Sequence, residues 1–114
     1  MRSPSLAACR LLYIVTAKSE AVKIAKSLLK EQLIACANIL GPMQSLYRWK
    51  GRIEDLAEFL LLCKTTKKNF SAARKLIAKL HSYECPCIIS LPIEDGNEKY
   101  LEWIRGSVLK ALKD

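Results

Sequence analysis

The chain has 114 residues, 51% of them hydrophobic and 26% charged, which suits one globular domain and excludes a disordered chain. Nineteen Lys and Arg against eleven Asp and Glu leave a net charge of +8, so an anionic partner stays open without being chosen. A single histidine excludes an HExxH zinc helix, and no apolar run reaches the roughly 18 residues that would span a membrane.

Leu6-Ala7-Ala8-Cys9 has the look of a lipoprotein cleavage box, but only Met1 to Ser5 precede it. An export signal needs an apolar stretch of about 7–15 residues there. Residues 1–10 therefore read as a lead-in, and 11–114 as a single domain. Leu11 to Thr16 is an apolar, β-branched run of strand length, as a buried strand shows. Ser19 is the expected cap of the first helix, with Glu20 complementing its positive end. Val22, Ala25, Leu28, Leu29 and Leu33 form the expected inner stripe, while Lys23, Lys26 and Lys30 face elsewhere.

Cys36 to Leu40 reads as a second strand, broken at Gly41-Pro42. Beyond the break, alternation puts Tyr47 and Trp49 on one face and Leu46, Arg48 and Lys50 on the other. Gly51 marks a turn or bulge, and Phe59 to Thr65 reads as the third strand, so the region is a long, bent hairpin. Asn69 to Leu80 returns to helical spacing, with Phe70, Ala73, Leu76, Ile77 and Leu80 as its stripe. Lys67, Lys68, Arg74, Lys75 and Lys79 form a solvated face. Cys87 to Ile93 is the fourth strand. Asn97 or Asp95 caps a last helix with Leu101, Ile104, Val108 and Leu112 inward. The order β-α-β-β-α-β-α gives an α+β fold: a ferredoxin-like sandwich with an added C-terminal helix.

Several stretches closely resemble the CutA family of divalent-cation tolerance proteins. They are Val15-Thr16-Ala17, Gln32 to Ile39, Ser45 to Ile53, Lys64-Thr65-Thr66, His81 to Pro86, Leu91-Pro92-Ile93 and Tyr100 to Ile104. Their order and spacing cover residues 11 to 106. The resemblance implies a PII-like fold and a tight homotrimer in which long hairpin strands extend neighbouring sheets. It also implies a non-enzymatic role in tolerance of, or response to, copper or another divalent cation. The chain departs from the family pattern at Ser82, where a proline is usual, and at Cys87, where a glutamate is common. Copper ligands proposed in some bacterial members fall at Val15, Leu80 and His81, and only His81 can coordinate a metal.

His81, Cys85 and Cys87 make a second candidate set of metal ligands. Cys85 and Cys87 are two apart, so an extended segment points both thiols the same way. An imidazole with two thiolates suits Cu(I) or Zn(II). The competing reading has His81 close the second helix while the thiols pack against the sheet. Tyr47 and Trp49, and likewise Tyr100 and Trp103 one helical turn apart, are expected at an interface between subunits. Tyr83 and Glu84 are expected beside them. Glu58 and Lys64 on one strand are expected to line an inter-subunit cleft that takes a small anion.

Five cysteines, an odd number, with Cys9, Cys36 and Cys63 inside apolar runs, read as free thiols in a reducing cytoplasm. No GxSxG elbow, CxxC pair or phosphate-cradling glycine loop argues for an enzyme. A second function remains open: a basic ferredoxin-like module binding nucleic acid or a nucleotide. Against it, the central strands carry only Tyr13 and Phe59 as stacking aromatics.

Overall fold

The computed structural model describes residues 8–109. Its elements are β1 (Cys9–Thr16), α1 (Lys18–Lys30), β2 (Cys36–Trp49), β3 (Arg52–Thr66), α2 (Lys67–Leu80), β4 (Cys87–Pro92) and α3 (Glu98–Ser107). The four strands form one antiparallel sheet in the order β2-β3-β1-β4. This is the expected α+β arrangement. Among the described residues no helix is long and apolar enough to cross a membrane.

In β1 the even residues Leu12, Ile14 and Thr16 are fully buried, because they lie under α1 and α2. Leu61, Cys63 and Thr65 of β3 complete that face. The inner stripe of α1 is Ala21, Ile24, Ala25 and Leu28. Val22 and Leu29, expected inward, lie at the surface. The helix also begins one residue before Ser19, with Ala17 at its cap and no side-chain cap bond. Thr16 instead donates its hydroxyl to Glu20 Oε1 at 2.7 Å, tying the end of β1 to the first turn. In α2, which starts two residues earlier than expected, Asn69 is buried because its Nδ2 donates to Thr66 Oγ1 and to the Leu109 carbonyl.

The odd residues of β1 face away from these helices. At one end of that second face α3 packs, with Ile104 and Val108 buried and Tyr100 reaching over Cys36 and Lys64. Asn97 is the cap, its Oδ1 accepting from Lys99 N at 3.0 Å, while Asp95 bonds the neighbouring Gly96 amide. Leu112, expected on the inner stripe, lies outside the described residues. Two other boundaries differ from expectation: β1 begins at Cys9, inside the supposed lead-in, and β4 stops at Pro92.

The hairpin decides the site. β2 does not break at Gly41-Pro42; it runs 14 residues, and β3 starts at Arg52 rather than Phe59. Leu40 pairs with Leu60 and Met43 with Glu58, so β2 uses one more residue than β3 across this step. An extra residue in one strand exchanges the faces of everything beyond it. Before the bulge the even residues Cys36, Asn38 and Leu40 share the open face with Leu60, Leu62 and Lys64. After it the odd residues Met43, Ser45, Tyr47 and Trp49 join Glu54, Leu56 and Glu58 there. Gly41 permits the bulge: a Cβ on it would stand 2.5 Å from the Phe59 ring. The hairpin closes through Lys50 (φ 51°) and Gly51 (φ 78°), the two left-handed residues of a tight type I′ connection.

Candidate functional site

Between the hairpin and the open sheet face lies a cleft of about 730 Å³. Its floor is Tyr13, Val15 and Cys87, which share the odd face of β1 and its partner strand β4. One wall is the hairpin, through Met43, Ser45, Tyr47, Trp49, Leu56 and Glu58. The other is the segment 83–85 ahead of β4.

Glu58 is the buried charge of this cleft, only 3% exposed. Tyr83 donates its hydroxyl to Glu58 Oε2 at 2.6 Å. Burial, with the hydrogen bond and charge of Glu58 behind it, pushes the Tyr83 phenol far above its ordinary range. Loss of water, Glu58 and Glu54 likewise raise Tyr47. At the rim Lys50 Nζ lies 3.5 Å from Glu84 Oε1 and 5.7 Å from the centre of the Trp49 ring.

His81 positions this wall. It closes α2, its amide bonding the Ile77 carbonyl at 2.9 Å. Tyr83 N donates to His81 Nδ1 at 3.2 Å, which leaves the ring proton on Nε2 to reach the Val15 carbonyl at 2.8 Å. The ring also meets Tyr83 edge-on, with centroids 4.6 Å apart. Glu20 accepts from the Ser82 amide at 3.2 Å, and the Ser82 and Thr16 hydrogen bonds hold its carboxyl below its ordinary value.

Of the expected metal ligands, His81 is engaged elsewhere. Cys85 and Cys87 reach the cleft, but both ring nitrogens of His81 are spent on backbone groups. Among the described residues no three His, Cys, Asp or Glu side chains come together in a metal-holding group. The reading of His81 as a helix-closing residue is the one the geometry supports.

The structure gathers Tyr47, Trp49, Glu58, Tyr83, Glu84, Cys85 and Cys87 at one cleft. It separates Lys64 from Glu58. Six residues along a strand span about 20 Å, and Lys64 Nζ donates to Asn38 Oδ1 at 2.9 Å beneath the Tyr100 ring. Tyr100 and Trp103 pair with ring centroids 5.4 Å apart, away from the cleft. Tyr13, Met43 and Leu56 also line the cleft and were not among the expected site residues. β1 is largely apolar on both faces, so its sequence carries no signal that Tyr13 looks into an opening, and Met43 and Leu56 lie beyond the bulge that sets their face.

The profile of the CutA1 divalent ion tolerance protein family matches residues 10–107. A Thermus thermophilus protein named divalent-cation tolerance protein CutA is 44% identical over 94 residues, covering 81% of this chain and 91% of its own. Its Archaeoglobus fulgidus namesake is 43% identical over 96 residues, with coverages of 82% and 93%. The crystal structure of CutA1 from Oryza sativa superimposes with a TM-score of 0.87 at 34% identity, over 91% of this chain and 96% of that one. A PII-like CutA from Nostoc, at 24% identity and a TM-score of 0.82, shares the fold. With the profile spanning nearly every described residue, the chain belongs to the CutA1 divalent ion tolerance protein family.

Proposed function

We propose that the protein is a homotrimeric, non-enzymatic scaffold in the response to divalent metal cations such as copper. The observation that carries the assembly is the hairpin. It draws the molecule out to 48 × 27 × 22 Å and holds Leu46 and Ile53 63% and 71% exposed. On the open face Ile89 and Leu91 are also exposed, and β2 and β4 present free sheet edges. A lone chain with long apolar edges is an aggregation hazard, and a closed ring removes the edges with one kind of interface. In such a ring Tyr47 and Trp49 stand at the boundary between subunits.

The cation role takes its support from the names of the relatives, and Cys85 and Cys87 are the soft donors of the cleft. All five thiols are free, which supports a reducing, cytoplasmic location. Nucleic acid is left out of the proposal, because the cleft carries Glu58 and Glu84 while the lysines of α2 lie on its outer surface. Light scattering on dilute protein tests the assembly, with a mass of three chains expected. A stable monomer overturns it. Anaerobic titration of reduced protein with Cu(I) tests the metal link. The expected result is binding lost in a Cys85→Ser, Cys87→Ser double variant.

A further inference from the structure

We infer that the outer surface of α1 and α2 is a docking face for the phosphate backbone of duplex nucleic acid, held without regard to base sequence. The two helices carry nine of the nineteen Lys and Arg of the chain but one of its eleven Asp and Glu, Glu20. Ten cations and ten acids are left for all other residues, and they cancel. The whole net charge of +8 therefore belongs to this one layer. All of its cations are exposed except the half-buried Lys68. Glu20 does little to offset them, because its carboxylate is engaged by the Thr16 hydroxyl and the Ser82 amide beside His81. Glu31, just past the end of α1, offsets a single charge.

The composition of the layer chooses the occupant. Its exposed large apolar side chains are Val22 and Leu29, both on α1, while the inner stripes of both helices are buried against the sheet. A protein interface needs an apolar, aromatic centre and is poor in lysine. A helix lying in a membrane surface needs an apolar face left over to insert. A duplex needs neither, because lysines neutralise its phosphates and release their counterions. Each helix is about 20 Å long, a length of duplex that carries about twelve phosphates. Phe70, the one aromatic of the two helices, packs against the core, so an unpaired base finds no ring to stack on. Asn69, their one amide side chain, is buried and bonded, which leaves the contacts to the phosphates. The layer lies across the sheet from the cleft and its glutamates. A subunit boundary built on the hairpin and the open face leaves it uncovered, so the inference stands apart from the trimer.

The probe is a fluorescently labelled DNA duplex of about 20 base pairs and arbitrary sequence, read by anisotropy against the intact protein. With about four of the nine cations on phosphates, affinity should fall on the order of a hundredfold between about 50 and about 200 mM salt. A Lys26→Glu, Lys75→Glu double variant should bind at least about tenfold more weakly at the lower salt, with a shallower salt dependence. Arg48→Glu with Lys99→Glu removes the same charge at exposed positions outside the layer and should bind within about threefold of the wild type. Exposed substitutions of this kind leave the fold intact, which circular dichroism checks. Equal weakening in the two double variants overturns the inference, since overall charge would then hold the DNA. So does the absence of binding at the lower salt. Displacement of the labelled duplex by polyglutamate or by phosphatidylserine vesicles as readily as by unlabelled duplex, at equal charge, overturns it in favour of an acidic protein or a membrane.

Discussion

Tyr83 and Glu58 meet at 2.6 Å, joining the segment that leaves α2 to the middle of β3. Twenty-five residues separate them in sequence, and neither lies in a motif that announces the other. The bond holds the two walls of the cleft at a fixed distance and supplies a donor to a carboxylate withdrawn from water. It also ties the hairpin to the body of the molecule, since Glu58 pairs across the sheet with Met43 just past the bulge.

Tyr83→Phe removes that donor and leaves a buried carboxylate unsatisfied. A loss of about 1–3 kcal/mol in urea unfolding is expected. The pH dependence has a definite sign. The folded protein holds the Tyr83 proton more tightly than the unfolded chain, where the phenol titrates near 10.0. Its contribution is therefore complete below about pH 10 and is lost as the pH rises towards the folded value. The wild type should lose stability through this alkaline window more steeply than Tyr83→Phe, as stability curves of both proteins will show.

Gly41→Ala tests the bulge. The new Cβ would meet the Phe59 ring at 2.5 Å, at a φ of 153° that L residues rarely adopt. Overpacking of this kind costs about 1–3 kcal/mol. Gly41→Ala combined with Phe59→Leu should recover part of the loss, because the colliding ring is gone. Thermal unfolding of the three proteins measures both effects.

The thiols should differ widely in reactivity. Cys63 is buried beneath the helices, and its thiol is pushed up to about 12, mainly by burial. Burial also raises Cys9 and Cys87, whereas Cys85 is exposed. Alkylation of the native protein followed by peptide mapping should label Cys85 first and Cys63 last. If Cys85 and Cys87 bind a soft metal, Cu(I) protects them from labelling. His81→Ala should leave that protection intact while lowering stability by about 1–3 kcal/mol, because it strands the Val15 carbonyl.

If the protein assembles as the proposed trimer, Trp49→Ala should weaken that assembly by about 2–4 kcal/mol, the range found for aromatic anchors at interfaces. Sedimentation over a range of concentrations should show dissociation at concentrations where the wild type stays assembled. Trp103→Ala, on the far side near Tyr100, gives the comparison for the second aromatic pair.

The element order, the open hairpin and the Asn97 cap were legible in the residues, because periodicity, turn glycines and capping chemistry act over a few neighbours. Of the residues expected at an inter-subunit cleft or interface, Tyr47, Trp49, Glu58, Tyr83 and Glu84 meet at one cleft, while Lys64, Tyr100 and Trp103 lie elsewhere. Three things were not legible. The inner stripe of α1 kept Ala25 and Leu28 but took Ala21 and Ile24 in place of Val22 and Leu29, because the fit against the sheet selects among apolar residues that the pattern ranks alike. His81 closes α2 as one of its two readings had it, but its hold on the Val15 carbonyl, 66 residues away, was not in the pattern. And alternation alone paired Tyr47 with Trp49 without saying which side of the sheet they occupy. That was decided by one extra residue between Leu40 and Met43, accommodated where Gly41 meets Phe59. A strand repeats every two residues, so a single inserted residue turns its far half over, and only pairing with β3 reveals where the insertion falls.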